Sequence, residues 1–455
     1  MADGQVVQVS RFIDERGFSA FHVKLLIWSL FMVFIDGYDI GAIGFAAPEL
    51  VKAWGITDRS LLGPVFSASL IGILFGSAIF GFIGDRYGRK AALITANLVF
   101  GVFTLAAAYA TNLNEMFWLR LLAGLGIGGV IPNIIAINAE SAPRRMRATL
   151  AIIAVGFVPL GGALPALVLM TLVPTYGWQA LFFVGGAVPI VIALLGIIGL
   201  PESIKYMTLR EGQRKNMEKL IAAIRPDFKI PANARFVIED EKNYSGFSPV
   251  HLFRDGLHWI TPLLWLVFAL NLMGFFFLAS WTPTLLTAAK LPLQTATLAT
   301  AMIQIGGTVG ALVLCRALDK HRFLPVAILF VIAVPVVASI GFLSNSGSLA
   351  LLLGVCFVAG FCVLGIQSGI NVAGAMIYPT SLRANGSGWE LGIGRIGSIV
   401  GPILGGLFIV LPVQQLYMWS ALPFAFGAVI CYIVHRLNEA RLREMPLVQQ
   451  AAPAE

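Results

Sequence analysis

The stretch FMVFIDGYDIGAIGFAAP, residues 31–48, decides the fold class. It is apolar enough to lie in a bilayer, yet it carries Asp36 and Asp39 near its middle. An aspartate at the centre of a membrane-spanning helix costs about 2.5–3.5 kcal/mol on insertion scales. At a spacing of three residues the two carboxylates share a helix face, and Gly37 between them lets a neighbour or a ligand approach closely. The pattern indicates either a protonation site in a transport path or ion pairs that hold helices together.

The composition of the whole chain indicates a polytopic membrane protein. Of its 455 residues 58% are hydrophobic and 12% are charged, and the mean hydropathy is +0.85. Soluble domains carry about 25% charged residues. The net charge of +8 does not indicate nucleic-acid binding, because the basic residues lie in short loops between apolar runs, where they set membrane orientation.

Catalytic motifs are absent from the sequence. It contains no phosphate-binding loop, no nucleophile elbow and no His/Cys cluster with metal-ligand spacing. We therefore expect no enzyme activity, no cofactor and no metal, and transport that is secondary rather than driven by ATP.

Twelve apolar runs are long enough to cross a bilayer, which takes about 20 residues in a helix. They cover residues 22–47, 61–83, 91–111, 115–139, 149–173, 178–200, 259–286, 294–317, 323–344, 347–377, 387–411 and 413–435. The predicted fold is therefore all-α and integral to the membrane, with two six-helix bundles.

The distribution of Lys and Arg predicts the orientation. The even-numbered loops are rich in these residues and the opposite loops are poor in them, which places both termini in the cytoplasm. We expect a multi-pass protein of the inner (plasma) membrane, in contact with the lipid bilayer and monomeric. The predicted divisions are an N-terminal tail (1–21), a first bundle (22–200), a central linker (201–257) with a short amphipathic helix (211–224), a second bundle (258–435) and a C-terminal tail (436–455).

The two predicted bundles repeat each other in sequence. Pro143 and Arg147 recur as Pro379 and Arg383 at an offset of 236 residues, and GDRYGRK at 84–90 has a worn counterpart in LDKHRF at 318–323. Internal repeats of this kind are typical of secondary transporters, whose substrate site lies between the repeats near the membrane midplane.

The loop GDRYGRK joins the second and third predicted helices on the cytoplasmic side. Its glycines permit a tight turn, and its charged residues can pair with the other half when the cytoplasmic side is closed. The loop resembles the signature loop of the major facilitator superfamily, a match that does not indicate the substrate. The predicted cytoplasmic gate comprises Asp85, Arg86, Arg89, Glu140, Arg147 and Arg383.

The fourth predicted helix begins with Arg120, followed by a glycine-rich run that favours close helix packing. It resembles the superfamily's fourth-helix motif, whose arginine is associated with proton coupling. Asp39 lies toward the same side of the membrane, so the two side chains can meet. Asp36, Asp39 and Arg120 are the candidate proton-coupling residues, and a purely structural Arg–Asp pair is the alternative.

Several segments together resemble one family, the aromatic acid/proton symporters. They are DGYDIGAIGFAAP (36–48), the loop GDRYGRK, PNIIAINAESAPRRMRA (132–148), SWTPTLL (280–286) and YPTSLRANGSGWELGIGRIGSIVGP (378–402). The resemblance covers residues 20–435 and implies uptake of an aromatic carboxylate, of the benzoate or hydroxybenzoate type, together with protons for aromatic catabolism. It places the family's important charges on Asp36, Asp39, Arg120, Glu140, Arg383 and Arg395. Glu390 departs from the family pattern, where a small or apolar residue is expected.

Arg395 lies about nine residues into the eleventh predicted helix, near mid-membrane, with Gly392, Gly394 and Gly397 expected to clear space around it. The planar guanidinium suits a carboxylate, so Arg395 either binds the substrate carboxylate or pairs with Asp36, Asp39 or Glu390. An aromatic ring needs apolar walls and a few polar groups. The candidate substrate-binding residues are Arg395, Gln304, Gln367, Asn271, Phe277 and Trp281.

Other functions stay open at this point. The same machinery suits another organic acid, such as a dicarboxylate, muconate or nicotinate. Drug/proton efflux is a further alternative, and so is a membrane sensor of aromatic acids.

Overall fold

The computed structural model describes residues 6–8, 14, 18–209, 217–218, 235–237, 249–253, 256–321, 324–378 and 382–444. Of the amphipathic helix predicted over 211–224, only residues 217 and 218 are among them, and both are helical. The remainder of that predicted helix lies outside the described residues.

Long helices make up nearly all of the described chain, as the sequence predicts. Those of the N-terminal half are α1 (Ala20–Ala53), α2 (Leu62–Tyr87), α3 (Arg89–Ala107), α4 (Leu113–Ser141), α5 (Arg147–Gly156), α6 (Val158–Thr171) and α7 (Gln179–Gly199). Those of the C-terminal half are α8 (Ile260–Ala288), α9 (Leu293–His321), α10 (Leu324–Leu343), α11 (Leu349–Ile377), α12 (Arg383–Leu407) and α13 (Val413–Glu444).

The shorter elements lie at the ends of these helices and in the polar segments. Two three-residue strands, β1 (Val6–Gln8) and β2 (Arg235–Val237), pair in parallel. The short helical segments are Arg59–Leu61, Arg144–Met146, Val173–Tyr176, Ile204–Leu209 and Pro249–Phe253.

Every predicted membrane run corresponds to helix. Among the described residues, eleven helices are long and apolar enough to cross a membrane. Helix α12, which corresponds to the predicted run 387–411, is not among these eleven helices. Its 25 residues span about 37 Å, long enough to cross, but Glu390, Arg395 and many glycines make it more polar. The all-α membrane fold is confirmed, and eleven of the twelve predicted spans are among the helices that are apolar enough to cross a membrane.

The largest departures from the predicted helix boundaries are at three places. The fifth run is two helices, because α5 ends at Gly156 and α6 starts at Val158. Pro159 explains the break: it has no backbone N–H to continue the ladder, and proline suits the first turn of a new helix. Helix α1 continues through Pro48 to Ala53, and α13 continues to Glu444, so that the start of the predicted C-terminal tail is helical.

The chain divides into two compact units. The first comprises residues 1–42, 71–162 and 176–243, and the second comprises residues 43–70, 163–175 and 244–455. Within the second unit the start of α2 packs on the C-terminal helices. The Ser67 hydroxyl donates to the Ile399 carbonyl at 2.7 Å, and the rings of Phe66 and Trp281 meet edge to face at 4.9 Å. The division into sequence bundles at 201–257 rests on the sequence repeat and stays a prediction.

Candidate functional site

The first unit holds a buried ion pair between α1 and α4. Nη1 of Arg120 lies 2.8 Å from both carboxylate oxygens of Asp39, and Nη2 donates to the Asp39 backbone carbonyl at 3.1 Å. Both side chains are 0% exposed. The predicted meeting of Asp39 and Arg120 is therefore present. Removing one partner of such a pair leaves an uncompensated buried charge, which costs about 3–5 kcal/mol.

Groups on α3 and α7 complete the surroundings of the pair. The Thr104 hydroxyl donates to Asp39 Oδ1 at 3.0 Å, and the Arg120 guanidinium carbon lies 5.9 Å from the centre of the Phe182 ring. The first contact is a hydrogen bond to the carboxylate, and the second is a cation–π interaction. Thr104 was not predicted as a site residue, because a single hydroxyl in an apolar helix matches no sequence motif.

Asp36 lies one helical turn before Asp39 and is also completely buried. Tyr38 between them is held in place, since its hydroxyl donates to the Leu181 carbonyl at 2.9 Å. The two aspartates therefore lie in a completely buried part of α1, at the spacing that the sequence predicts.

Gly37 brings α1 against the start of α6, as predicted for a close neighbour. A Cβ atom at this position would collide with the backbone carbonyl of Val158. Backbone cannot move aside as a flexible side chain can, so only glycine fits here.

Replacement of Gly37 by alanine is expected to destabilise the protein by about 1–3 kcal/mol, the usual cost of overpacking. Thermal unfolding in detergent measures this as a lower midpoint. Gly156→Ala is the matched control, because no atom of the described residues lies within 4 Å of a Cβ added there. Equal midpoints for the two variants would contradict the close packing of α1 on α6.

Amide side chains of the second unit gather between α8 and α11. Asn271 is buried and donates to Gln367 Oε1 at 2.9 Å and to the Val363 carbonyl at 3.3 Å. Its Oδ1 atom has no hydrogen-bond partner among the described residues, and the same holds for Oε1 of Gln304 on α9. These two oxygens can accept hydrogen bonds from a ligand hydroxyl.

Two predicted aromatic residues of α8 have structural contacts. Trp281 is 0% exposed, and its indole N–H donates to the Pro402 carbonyl at 2.9 Å. Phe277 meets Tyr417 edge to face at 6.4 Å. These contacts hold α8 against α12 and α13.

A cavity of about 320 Å³ lies beside Phe277. Its walls are apolar, and Phe408, Trp419 and Phe426 among its lining residues have exposed side chains. A carboxylate needs charge or several donors when it leaves water, so this cavity does not suit an anionic group. It suits an apolar occupant.

Arg395 lies midway along α12 and is half-buried. The neighbouring glycines serve different purposes. A Cβ at Gly394 would collide with the Phe268 ring and one at Gly397 with the Ala269 carbonyl. In the part of the chain that the structure describes, no atom lies within 4 Å of a Cβ at Gly392. The prediction that all three clear space around Arg395 therefore needs correction, because Gly394 and Gly397 allow α8 to approach.

Arg89 is the centre of the cytoplasmic cluster in the first unit. Its guanidinium pairs with Asp85 at 2.7 Å and with Glu140 at 3.1 Å, and it donates to Asn133 Oδ1 at 3.5 Å. Gly88 makes the turn with φ 102°, a conformation that L side chains rarely adopt. These partners all belong to the same unit as Arg89.

Two residues of the predicted linker take part in this cluster and were missed. Ser203 bonds Glu140 through its hydroxyl, and Glu202 Oε1 accepts from the Lys90 backbone N–H at 3.1 Å. Burial raises the pKa of Glu202, although backbone hydrogen bonds partly oppose this shift. The segment directly after α7 is thus a fixed part of the unit.

The structure describes fewer contacts for the other predicted gate residues, which are Arg86, Arg147 and Arg383. Arg86 is exposed, and its guanidinium carbon lies 5.8 Å from the ring centre of the adjacent Tyr87. The backbones of Arg147 and Arg383 start α5 and α12, and their side chains lie outside the described part.

Comparisons with known proteins agree with this fold. The family model of the Major Facilitator Superfamily matches residues 29–389. A solved bacterial homologue of the human lysosomal transporter Spinster has a TM-score of 0.67 at 14% identity, with coverage of 96% of this chain and 100% of that one. The chain therefore belongs to the Major Facilitator Superfamily and is a transporter rather than an enzyme.

Sequence similarity to curated relatives indicates which kind of transporter within the superfamily this chain is. The chain is 35% identical over 400 residues to the 4-hydroxybenzoate transporter PcaK of Pseudomonas putida, with 88% of each chain covered. It is 33% identical over 449 residues to a gallate transporter of Pseudomonas putida, with 97% of each covered. Within the superfamily, the chain belongs to the aromatic acid permeases.

Proposed function

We propose that the protein takes up an aromatic carboxylate, of the benzoate or hydroxybenzoate type, together with at least one proton. The observation that carries the proposal is the completely buried Asp39–Arg120 pair in a chain whose relatives are named for 4-hydroxybenzoate and gallate. Intramembrane charges of this kind usually mark ion or proton paths.

The need for a proton follows from the charge of the substrate. An aromatic acid is an anion at pH 7, and a negative cell interior opposes its inward movement by about 2.3 kcal/mol per charge per 100 mV. One proton carried with each anion removes this opposition. The pH gradient then drives accumulation.

Asp39 is the proposed proton site. In the ionised form its carboxylate neutralises Arg120 through contacts of 2.8 Å. A proton on Asp39 weakens this attraction, and the uncompensated positive charge of Arg120 then attracts the substrate anion, whose carboxylate Arg395 is proposed to bind. Proton and anion binding thus favour each other, which is the thermodynamic requirement for coupling. Asp36, on the same face of α1, is the second candidate.

Arg395 is proposed to bind the substrate carboxylate. Its planar fork can donate two parallel hydrogen bonds to a carboxylate. Asn271, Gln304 and Gln367 belong to the same unit, and the unpartnered oxygens of Asn271 and Gln304 can accept from ring hydroxyls. Phe277 would contribute apolar surface for the ring, and Trp281 would hold α8 in position.

Transport is proposed to alternate between states open to either side of the plasma membrane. The Lys and Arg bias of the loops supports cytoplasmic termini and a cytoplasmic gate at the 84–90 loop, Glu140, Arg147 and Arg383. We propose that the protein acts as a monomer.

Uptake of a panel of labelled benzoates, hydroxybenzoates and nicotinate tests the proposal. We expect concentrative uptake of at least one aromatic acid and its collapse when an uncoupler is added. Accumulation that survives the uncoupler, or accumulation only of non-aromatic acids, would contradict the proposal. Proton-driven accumulation inside everted vesicles would indicate efflux.

A further inference from the structure

Helix α12 carries a buried acidic residue that the proposed coupling does not use. Glu390 is 1% exposed, and its Oε1 atom has no hydrogen-bond partner among the described residues. It lies about 10 Å along the helix axis from Arg383, at 1.5 Å per residue. A buried carboxyl oxygen without a hydrogen-bond partner indicates that a ligand binds there, and a proton is the smallest such ligand.

The carboxyl group of Glu390 lies against the backbone of α11. A Cβ atom added at Gly374 would lie 3.0 Å from Glu390 Cδ and would collide with Oε2. Any residue larger than glycine would therefore displace the carboxyl group. Gly374 makes room for an acidic side chain inside the second unit.

Among the described residues, few titratable groups lie on the elements that pack against α12, and one of them is Arg59 in the short segment Arg59–Leu61. Tyr378 lies at the end of α11, and its hydroxyl oxygen is 3.4 Å from the hydroxyl oxygen of Thr261. Helix α8, which packs along α12, contains no Asp, Glu, Lys, Arg or His. The segment Pro249–Phe253, which also contacts α12, carries His251, and this side chain is exposed.

Basic residues lie on α12 and on α13. Arg395 follows Glu390 by five residues on α12, about 140° around the helix. On α13, Arg441 donates to the Ile377 carbonyl at 3.4 Å. Arg383 starts α12, and its side chain lies outside the described part.

The energetics favour the acid form of Glu390 in this conformation. An ionised group in a protein interior carries a desolvation penalty of several kcal/mol unless it is paired and fully hydrogen-bonded. A protonated carboxyl group avoids this penalty and can donate its O–H. Release of the proton then requires a state in which water or a cation reaches the side chain.

We propose that Glu390 is a second proton-carrying site, so that each monoanionic substrate enters with two protons. The inference rests on the proposed proton-coupled uptake and extends it. The substrate anion and two protons leave the outside and appear inside, which moves one net positive charge inward in each cycle. Uptake then responds to the membrane potential as well as to the pH gradient.

Proteoliposomes with equal pH on both sides and an interior-negative potassium potential set by valinomycin test this charge movement. With one net charge moved, the wild type should accumulate substrate about tenfold for each 59 mV. Glu390→Gln, which resembles the protonated side chain, should lose this response and keep accumulation driven by a pH gradient. Glu49→Gln removes another acid of the same unit, one that pairs with Lys52 at 2.7 Å, and should behave as the wild type.

Two results would overturn the inference. One is a wild type that accumulates substrate with a pH gradient and fails to respond to the potential. The other is a Glu390→Gln variant with a normal response to the potential. If Glu390→Gln fails to fold, Glu390→Met supplies an apolar side chain of similar length for the same assay. A wild type that responds to neither force contradicts the proposed function itself, so the two failures are distinguishable.

Discussion

Replacement of Asp39 by asparagine is expected to abolish substrate accumulation and leave exchange of substrate across the membrane intact. The amide keeps an oxygen that can accept from Arg120 Nη1 and from Thr104, which lie 2.8 and 3.0 Å from Oδ1 in the native pair. These hydrogen bonds offset part of the cost of the uncompensated Arg120 charge, so we expect the variant to fold with reduced stability. The amide does not titrate, so the empty transporter keeps an uncompensated Arg120 charge. We expect this form not to reorient, so that substrate exchange continues without net uptake even though Glu390 can still carry a proton.

The size of the effect follows from the coupling. Each proton carried with an anion adds a driving force of about 1.36 kcal/mol for each pH unit, which supports about tenfold accumulation per proton. For Asp39→Asn the expected ratio of internal to external substrate is about one. Uptake and counterflow of labelled substrate in proteoliposomes measure both quantities.

Asp58→Asn is the matched control for this substitution. Asp58 accepts from the Ser60 backbone N–H at 3.0 Å in an exposed turn, a position at which asparagine caps equally well. Asp36→Asn, measured in parallel, distinguishes the two candidate proton sites. Normal accumulation in Asp39→Asn combined with its loss in Asp36→Asn would assign the proton to Asp36 and contradict the assignment to Asp39.

Replacement of Arg395 by lysine should raise the half-saturation concentration for the substrate about 10- to 100-fold. Lysine keeps the positive charge but cannot donate two parallel hydrogen bonds from one plane. Loss of a hydrogen bond to a charged group costs about 1.5–3 kcal/mol, and each 1.4 kcal/mol is a factor of about ten in affinity. Initial rates of uptake over a range of substrate concentrations give the value.

Arg59→Lys is the control for a change from arginine to lysine in the same unit. Arg59 starts a short helical turn outside the proposed machinery, and its replacement should leave the half-saturation concentration unchanged. An Arg395→Lys variant with the native half-saturation concentration would show that the carboxylate binds elsewhere. Arg120 would then be the next residue to test.

The sequence predicted the fold well because bilayer crossing leaves a strong and local signal. Long apolar runs and their basic loops fixed the helices and the expected orientation without any knowledge of tertiary contacts. The meeting of Asp39 and Arg120 was also predictable, since two isolated charges at similar membrane depth need a partner. The break at Pro159 had a local signal too, but the apolar run around it outweighed that signal in the counting of spans.

Other features depend on contacts that no pattern encodes. Thr104 acts on Asp39 from another helix, and nothing in its own sequence neighbourhood distinguishes it from other hydroxyls. Glu202 and Ser203 follow a spanning helix in a polar segment, where polar residues usually face water. The pairing of β1 with β2 joins segments more than 200 residues apart over three residues each, which is too short for a strand pattern.

Proton movement caused by the substrate tests the central claim most directly. Substrate is added outside wild-type proteoliposomes at equal internal and external pH, with the membrane potential held at zero, and external pH is recorded. We predict that the medium becomes alkaline as substrate enters, and that Asp39→Asn gives no pH change while it still exchanges substrate. Entry of substrate into wild-type vesicles without alkalinisation, or the same alkalinisation in Asp39→Asn, would contradict this account.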